Sequence, residues 1–207
     1  MKRSTLIPLL VIGAIILFGG CGAAGFQRTA VTAEENIKGK WGNVQSEYQR
    51  RADLIPNLVN TVKGEANFEQ QTLIQTIEAR YKNLNNIKVD PNNLSPEAIA
   101  KFQEAQAGLS SALSRLMVVV ENYPNLKTNE GFRNLQVQLE GTENRIKVAR
   151  NDFNTATQGF NTLVRQFPNN LYASFMNFKP KGYFEADAGA DKAPPVDFGN
   201  SKDSTKK

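Results

Sequence analysis

The chain has 207 residues, which suffices for one domain of ordinary size with appendages. Its formal net charge of +5 is small and mixed in sign, which argues against a nucleic-acid-binding protein. Histidine is absent and there is a single cysteine, so histidine acid–base relays, cysteine–histidine nucleophiles and cysteine/histidine zinc sites are excluded by composition.

The first twenty residues have the organisation of an export signal. Lys2 and Arg3 precede an apolar run at residues 6–18. As a helix this run would span roughly 20 Å, which is shorter than the roughly 30 Å hydrocarbon core of a bilayer. It fits the apolar region of a secretory signal, and an extension to Phe26 would instead give a marginal transmembrane helix. In both cases Lys2 and Arg3 stay on the cytoplasmic side and the remaining chain lies outside.

The single cysteine, Cys21, closes this segment. The sequence LFGGCG at residues 17–22 resembles a bacterial lipobox. That resemblance implies cleavage before Cys21 and acylation of Cys21, whose acyl chains would hold the protein on a membrane. The alternative is an uncleaved membrane helix that carries an unmodified cysteine.

Three later stretches carry apolar residues at alternating spacings of three and four, which predicts packed helices. The first opens with a capping-box pattern at Thr32 and Glu35 and continues less regularly to Leu84. Its main apolar positions are Ile37, Trp41, Val44, Tyr48, Ile55, Leu58 and Val62.

The second and third stretches are more regular. Ser95 is a predicted N-cap, with Pro96 at the first helical position. We call the positions that follow this spacing of three and four the seam, because they face the neighbouring helices. The seam of the second stretch is Ile99, Phe102, Gln106, Leu109, Leu113, Leu116, Val120 and Tyr123. The seam of the third is Phe132, Leu135, Leu139, Thr142, Ile146, Ala149, Phe153, Ala156, Phe160, Leu163 and Phe167.

These patterns predict an all-α fold, an antiparallel bundle of long helices with coiled-coil-like packing. We expect about four helices if Pro56 divides the first stretch into two. The predicted organisation is a lipoprotein-type signal peptide at 1–20, a tether at 21–31, the bundle at 32–185 and a disordered tail at 186–207.

The sequence RRADLIP at residues 50–56 places charges and a helix breaker inside the first predicted helix. Pro56 costs about 3 kcal/mol in a helix interior, so the helix either kinks or restarts with Asp53 as N-cap. Arg51 falls on the apolar seam, where an unpaired charge would be very costly, and Arg50 points elsewhere. We expect an internal ion pair that fixes helix register; the alternative is a polar groove for a partner.

The sequence EGTENR at residues 140–145 offers a partner for that arginine. Glu140 and Glu143 lie one turn apart, with Thr142 on the seam and Arg145 beyond it. Paired carboxylates could ligate a metal or perform acid–base chemistry, but the di-metal pattern of helical bundles needs histidine. We therefore predict a contact of Arg51 with Glu140 or Glu143, and neither a metal nor another cofactor.

Residues 167–186 are dense in aromatic side chains. We expect this segment to fold back and cap the end of the bundle. The alternative is an exposed patch that docks a partner or a membrane surface, aided by Lys179 and Lys181. The large apolar residues are Phe167, Leu171, Tyr172, Phe175, Met176, Phe178, Tyr183 and Phe184.

Five motifs together resemble the LemA family in their order and spacing, over roughly residues 31–198. They are RRADLIPNLVNTVKG, YPNLK, LEGTENRIKVAR, FPNNLYA and FKPKGYFEA. The resemblance implies an antiparallel helical bundle tethered to the bacterial envelope by its N-terminus, and it implies no reaction.

We expect a non-catalytic, membrane-anchored envelope protein whose bundle is a scaffold or adaptor for other envelope proteins. The domain is expected on the non-cytoplasmic side of the membrane. One competing hypothesis is a metal-assisted hydrolase that uses Glu140, Glu143 or Asp53; another is a passive structural or surface protein. The sequence indicates neither nucleic acid nor a small-molecule substrate.

Overall fold

The computed structural model describes the backbone of residues 3–64, 70–84, 87 and 89–186, and the side chains from Gly20 onward. Within these residues the chain forms helices and no strand, which confirms the all-α prediction. The helices are α1 (Arg3–Lys63), α2 (Gln71–Leu84), α3 (Pro96–Val120), α4 (Pro124–Thr128), α5 (Glu130–Arg165) and α6 (Asn169–Phe175). An extended segment at residues 178–186 follows α6, and we call it the strap.

Helix α1 is continuous over 61 residues, so of the two alternatives the helix does not restart at Asp53, and it passes Pro56 with its seam kept. Burying a large aliphatic side chain contributes about 1.5–3 kcal/mol, and Ile55, Leu58 and Val62 are all fully buried around Pro56. Their combined burial outweighs the roughly 3 kcal/mol that an interior proline costs. The first predicted stretch is instead divided between Lys63, where α1 ends, and Gln71, where α2 begins. Gly64 follows Lys63 directly and lies outside the helix.

The start predicted at Thr32 is also wrong, because α1 begins upstream of it. Thr32 lies in the interior of α1, so its capping box has no free helix end to cap. Phe26 and Ala30 are already buried, which means that part of the predicted tether packs as core. The predicted signal peptide lies outside the described side chains. The predicted tail beyond Ala186 lies outside the described residues.

Ion pairs show how α1 and α5 run relative to each other. The pairs are Lys40 with Asp152, Glu47 with Arg145 and Arg51 with Glu143, at 2.8, 2.9 and 3.1 Å. The residue number falls on α5 as it rises on α1, so these two long helices are antiparallel. At the far end of α1, Lys63 lies 2.6 Å from Glu78 of α2. The hydrogen bond from Lys63 lowers the pKa of the Glu78 carboxyl below its usual value.

The predicted N-cap of α3 is present, and α5 has an N-cap of the same kind. Ser95 Oγ accepts a hydrogen bond from the N–H of Ala98, with Pro96 in the first turn of α3. Asn129 caps α5 in the same manner by accepting from the N–H of Phe132. Both caps satisfy backbone donors that a helix start leaves free.

The core consists of two apolar clusters along the bundle. The first surrounds Trp41 and includes Phe102, Phe153 and Phe184. The second lies toward the end of α1, where Leu58 meets α2, α3 and the start of α5. Described seam positions are buried or half-buried as predicted, except Phe167, which is 76% exposed because α5 ends at Arg165.

The strap lies between α3 and α5, and amide side chains of these helices bind its backbone. They make the hydrogen bonds that a neighbouring β-strand would otherwise make. Each amide accepts from one backbone N–H and donates to the carbonyl of the same residue, at 2.8–3.0 Å. The pairs are Asn161 with Lys181, Asn154 with Phe184 and Gln103 with Glu185. Phe184 is thereby fixed in the first cluster, with its ring 5.4 Å from that of Phe153. This part of the aromatic segment folds back onto the bundle.

At Gly182 the backbone of the strap lies very close to the start of α3. A Cβ at this buried position would lie 2.7 Å from Pro96 Cα and 3.0 Å from the Ser95 carbonyl oxygen. We expect Gly182→Ala to lower the free energy of unfolding by about 1–3 kcal/mol, because the strap must move away from α3. Gly159→Ala is the matched control, because a Cβ there meets nothing within 4 Å and alanine favours a helix by about 0.5–1 kcal/mol. Urea unfolding measures both; equal stability of the two variants would contradict this account.

Candidate functional site

Arg51 is buried in the middle of the bundle, with 2% of its surface exposed. Its Nη1 donates to Ser110 Oγ at 2.6 Å and to Glu143 Oε2 at 3.1 Å. Its Nη2 donates to Gln106 Oε1 at 2.5 Å and to the Gln106 carbonyl oxygen at 3.4 Å. The guanidinium also lies over the ring of Tyr48, 5.0 Å from its centroid. One cation therefore joins α1, α3 and α5.

The predicted Arg51–Glu143 contact is present, whereas Glu140 contacts Gln136 of its own helix instead. The Arg51 side chain is 3% exposed and that of Glu143 is 47% exposed, so the guanidinium is buried and the carboxylate is partly exposed to solvent. Solvent reaches the carboxylate and screens it, and the neutral partners on α3 carry much of the stabilisation of the guanidinium. Among the described residues, the Nε of Arg51 has no hydrogen-bond partner.

Arg51 belongs to a polar layer, which we define as Arg51, Gln106 and Thr142. Each of these side chains is buried, and each comes from a different long helix. Thr142 Oγ1 donates to the carbonyl oxygen of Gln138 and accepts from Arg145 Nη2, both at 2.8 Å. The polar layer separates the two apolar clusters, because the α1 residues of one cluster end at position 48 and those of the other begin at position 55.

The remaining predicted site residues lie on the surface around this layer. Arg145 Nε donates to Glu47 Oε2 at 2.9 Å, a second link between α1 and α5. Asp53 is not an N-cap; it accepts from Gln49 of the same helix at 2.7 Å. Asp53 and Arg50 line a shallow depression on the outer surface of α1, and Pro56 is exposed.

Two openings lead toward the polar layer. The smaller, which we call the recess, has a volume of about 220 Å³ and lies between α3 and α5. Arg51 is at its base, Ser114 and Met117 form one wall, and Glu140 and Glu143 form the other. The recess adjoins a groove of about 1220 Å³ that follows α3 and α5 to the strap. A polar group bound in the recess would lie near the partly exposed Glu143 carboxylate.

The arrangement offers little to a metal ion. In the described part of the chain, no three histidine, cysteine, aspartate or glutamate side chains come together as potential ligands. Glu140 and Glu143 share the recess, whereas Asp53 lies in the separate depression on α1. Asp53 therefore does not join the two glutamates at one point.

Sequence reasoning missed Ser110, the closest hydroxyl to the guanidinium. Ser110 lies one turn after Gln106 on α3, so it flanks the seam instead of occupying it. A small polar residue four positions from a polar seam residue was the available signal. Cys21, the predicted lipidation residue, is an exposed free cysteine on α1.

Removing the buried cation should be costly. We expect Arg51→Met to lower the free energy of unfolding by about 2–4 kcal/mol, because the polar groups of Gln106 and Ser110 lose a buried partner. Lys40→Met is the matched control, since Lys40 also links α1 to α5 through an ion pair, its side chain is 34% exposed, and such a pair is worth at most about 1 kcal/mol. Chemical unfolding of both variants measures the difference. A loss from Arg51→Met no larger than that from Lys40→Met would show that the polar layer is not a structural determinant.

Comparison with known proteins adds family relationships to this geometry. The chain is 28% identical over 179 residues to magnetosome protein MamQ 2 of Paramagnetospirillum magneticum, covering 79% of this chain and 66% of that protein. It is 25% identical over 143 residues to protein LemA of Metamycoplasma hominis, covering 69% and 61% of the two chains. The chain thus spans just under two thirds of the length of these relatives. The family model described as LemA family matches residues 40–198, which include the whole polar layer and the strap. The chain belongs to the LemA family.

Proposed function

We propose that this protein is a non-catalytic scaffold, held at a membrane of the bacterial envelope by its N-terminal segment. The observation that carries the proposal is the continuity of α1. This one helix runs from Arg3 past Cys21 into the core, where Phe26 and Trp41 are buried. An anchor at the start of α1 would thus position the bundle directly.

Two modes of anchoring fit this helix. Acylation of Cys21 would attach the chain after removal of residues 1–20, and an uncleaved membrane helix would use the apolar run at residues 6–18. From Gly20 onward, no described helix has the length and apolarity needed to span a bilayer. The similarity to magnetosome proteins supports an association with bacterial membranes. Lys2 and Arg3 favour a bundle on the non-cytoplasmic side.

The recess supports the scaffold role. Its walls are fixed by long helices that the polar layer holds together, so it would present a preformed surface to another envelope protein. Glu140 and Glu143 at its rim favour a basic or hydrogen-bond-donating segment in that partner. A hydrolase has less support, because Asp53 lies on a different surface from Glu140 and Glu143, and within the described residues no third potential metal ligand joins those two.

In-cell photo-crosslinking tests this proposal. We expect a photoreactive amino acid at position 140 to capture a discrete envelope protein in the membrane fraction. The same amino acid at position 138 is the matched control, because Gln138 is exposed two residues away on α5 and does not line the recess. Equal capture from both positions, or none from position 140, would contradict a partner in the recess and favour a passive structural protein.

A second readout in the same cells concerns the anchor. Metabolic labelling with an alkyne fatty acid should mark the wild-type protein and leave Cys21→Ala unlabelled. Retained label, or undiminished membrane binding of Cys21→Ala, would contradict the lipid anchor. Wild-type protein in the soluble fraction would contradict membrane anchoring of either kind.

A further inference from the structure

Three large apolar side chains stand exposed together at one end of the bundle. Phe167 is 76%, Leu171 is 61% and Phe175 is 91% exposed. Phe167 lies two residues before α6, and Leu171 and Phe175 lie four residues apart, on one face of that helix. We call these three residues the apolar tip. Groups of exposed large apolar side chains mark sites where a protein contacts a partner or a membrane.

The apolar tip lies beside residues 22–26 of α1, near the first residues of that helix whose side chains the structure describes. Tyr172, the residue after Leu171, packs against Phe26 with ring centroids 5.9 Å apart. A Cβ placed on Gly22 would lie 2.9 Å from the hydroxyl of Tyr172, so α6 approaches α1 closely here. The apolar run of the sequence ends at Phe18, four residues or about 6 Å of helix before Gly22. Measured along the axis of α1, the apolar tip therefore lies at about the same height as the point where the chain would leave a membrane.

The stretches of chain at this end of the bundle, up to Glu34 on α1 and Glu185 on the strap, carry basic side chains in excess. Residues 20–33 and 153–184 contain no aspartate or glutamate. The basic residues in these two ranges are Arg28, Arg165, Lys179 and Lys181. Lys181 pairs with Glu34 at 2.5 Å, while the other three are exposed. Aromatic side chains flanked by cations are typical of protein surfaces that lie in the headgroup region of anionic membranes.

We propose that the apolar tip rests in the headgroup region of an anionic phospholipid bilayer, the same bilayer that holds the N-terminus. This inference rests on the membrane anchoring of the proposed function. Anchor and apolar tip give the bundle two points of contact through α1 and α6. Two contacts fix its tilt, so the recess is held at a constant height above the membrane, whereas a single flexible attachment would let it rotate.

The test uses the full chain with Phe175→Trp in vesicles of phosphatidylglycerol and acyl-brominated phosphatidylcholine. Bromine quenches tryptophan only at short range, so a side chain in the headgroup region loses fluorescence relative to unbrominated vesicles. Val118→Trp is the matched control, because Val118 is 71% exposed and lies near the end of α3, beside the second cluster. Both variants retain the fully buried Trp41 as a common background. We expect at least twofold more quenching for Phe175→Trp than for Val118→Trp.

Flotation of the same vesicles distinguishes a failure of the apolar tip as a membrane contact from a failure of the anchor. Chains that float with the vesicles, with equal quenching at both positions, would overturn the apolar tip as a membrane contact and leave the anchor intact. Chains that do not float would overturn the anchor and the apolar tip together. A blue-shifted emission from Phe175→Trp without bromine quenching would also overturn the proposal, because it would indicate that a second copy of the chain covers the apolar tip.

Discussion

The fold depends on the need of one buried guanidinium for hydrogen-bond acceptors. Arg51 sits in the core, where an unpaired charge would cost several kcal/mol, so acceptors must come to it from neighbouring helices. Gln106 and Ser110 of α3 and Glu143 of α5 supply them. A slide of either helix by one turn, about 5.4 Å, would break these bonds. The apolar clusters on both sides stabilise the bundle, and the polar layer selects its register.

Periodicity predicted most of this architecture. Burial needs apolar residues on one face of each helix, so the seams of α3 and α5 and the polar seam position of Arg51 could be predicted from spacing alone. The Arg51–Glu143 contact followed from the cost of a buried charge. The spacing of the seam ran on past Pro56, but it left open whether the helix restarts at Asp53, because local helix propensity is opposed there by tertiary burial that only the fold shows. The amide pairs of the strap also carry no periodic signal, since each joins a helix to an extended segment far away in sequence.

The proposed function follows from how these parts are connected. The same helix that would carry the membrane anchor supplies Arg51, and the last short helix places the apolar tip beside the anchor. The recess lies farther along α1 and α5, between walls that the polar layer holds. Movement of the anchored end would thus be transmitted to the recess through a continuous helix. A rigid arrangement of this kind suits a scaffold better than an enzyme that must close over a substrate.

A double-mutant cycle on the polar layer tests the central claim most directly. Arg51→Met, Gln106→Leu and the double variant would be compared with the wild type by urea unfolding. If the two side chains stabilise the bundle as one hydrogen-bonded unit, the double variant loses at least about 1 kcal/mol less than the sum of the single losses, because neither member of this pair is then left buried without the other. Losses that add to within about 0.5 kcal/mol would show that Arg51 and Gln106 act independently, and the account of a register-setting polar layer would be wrong.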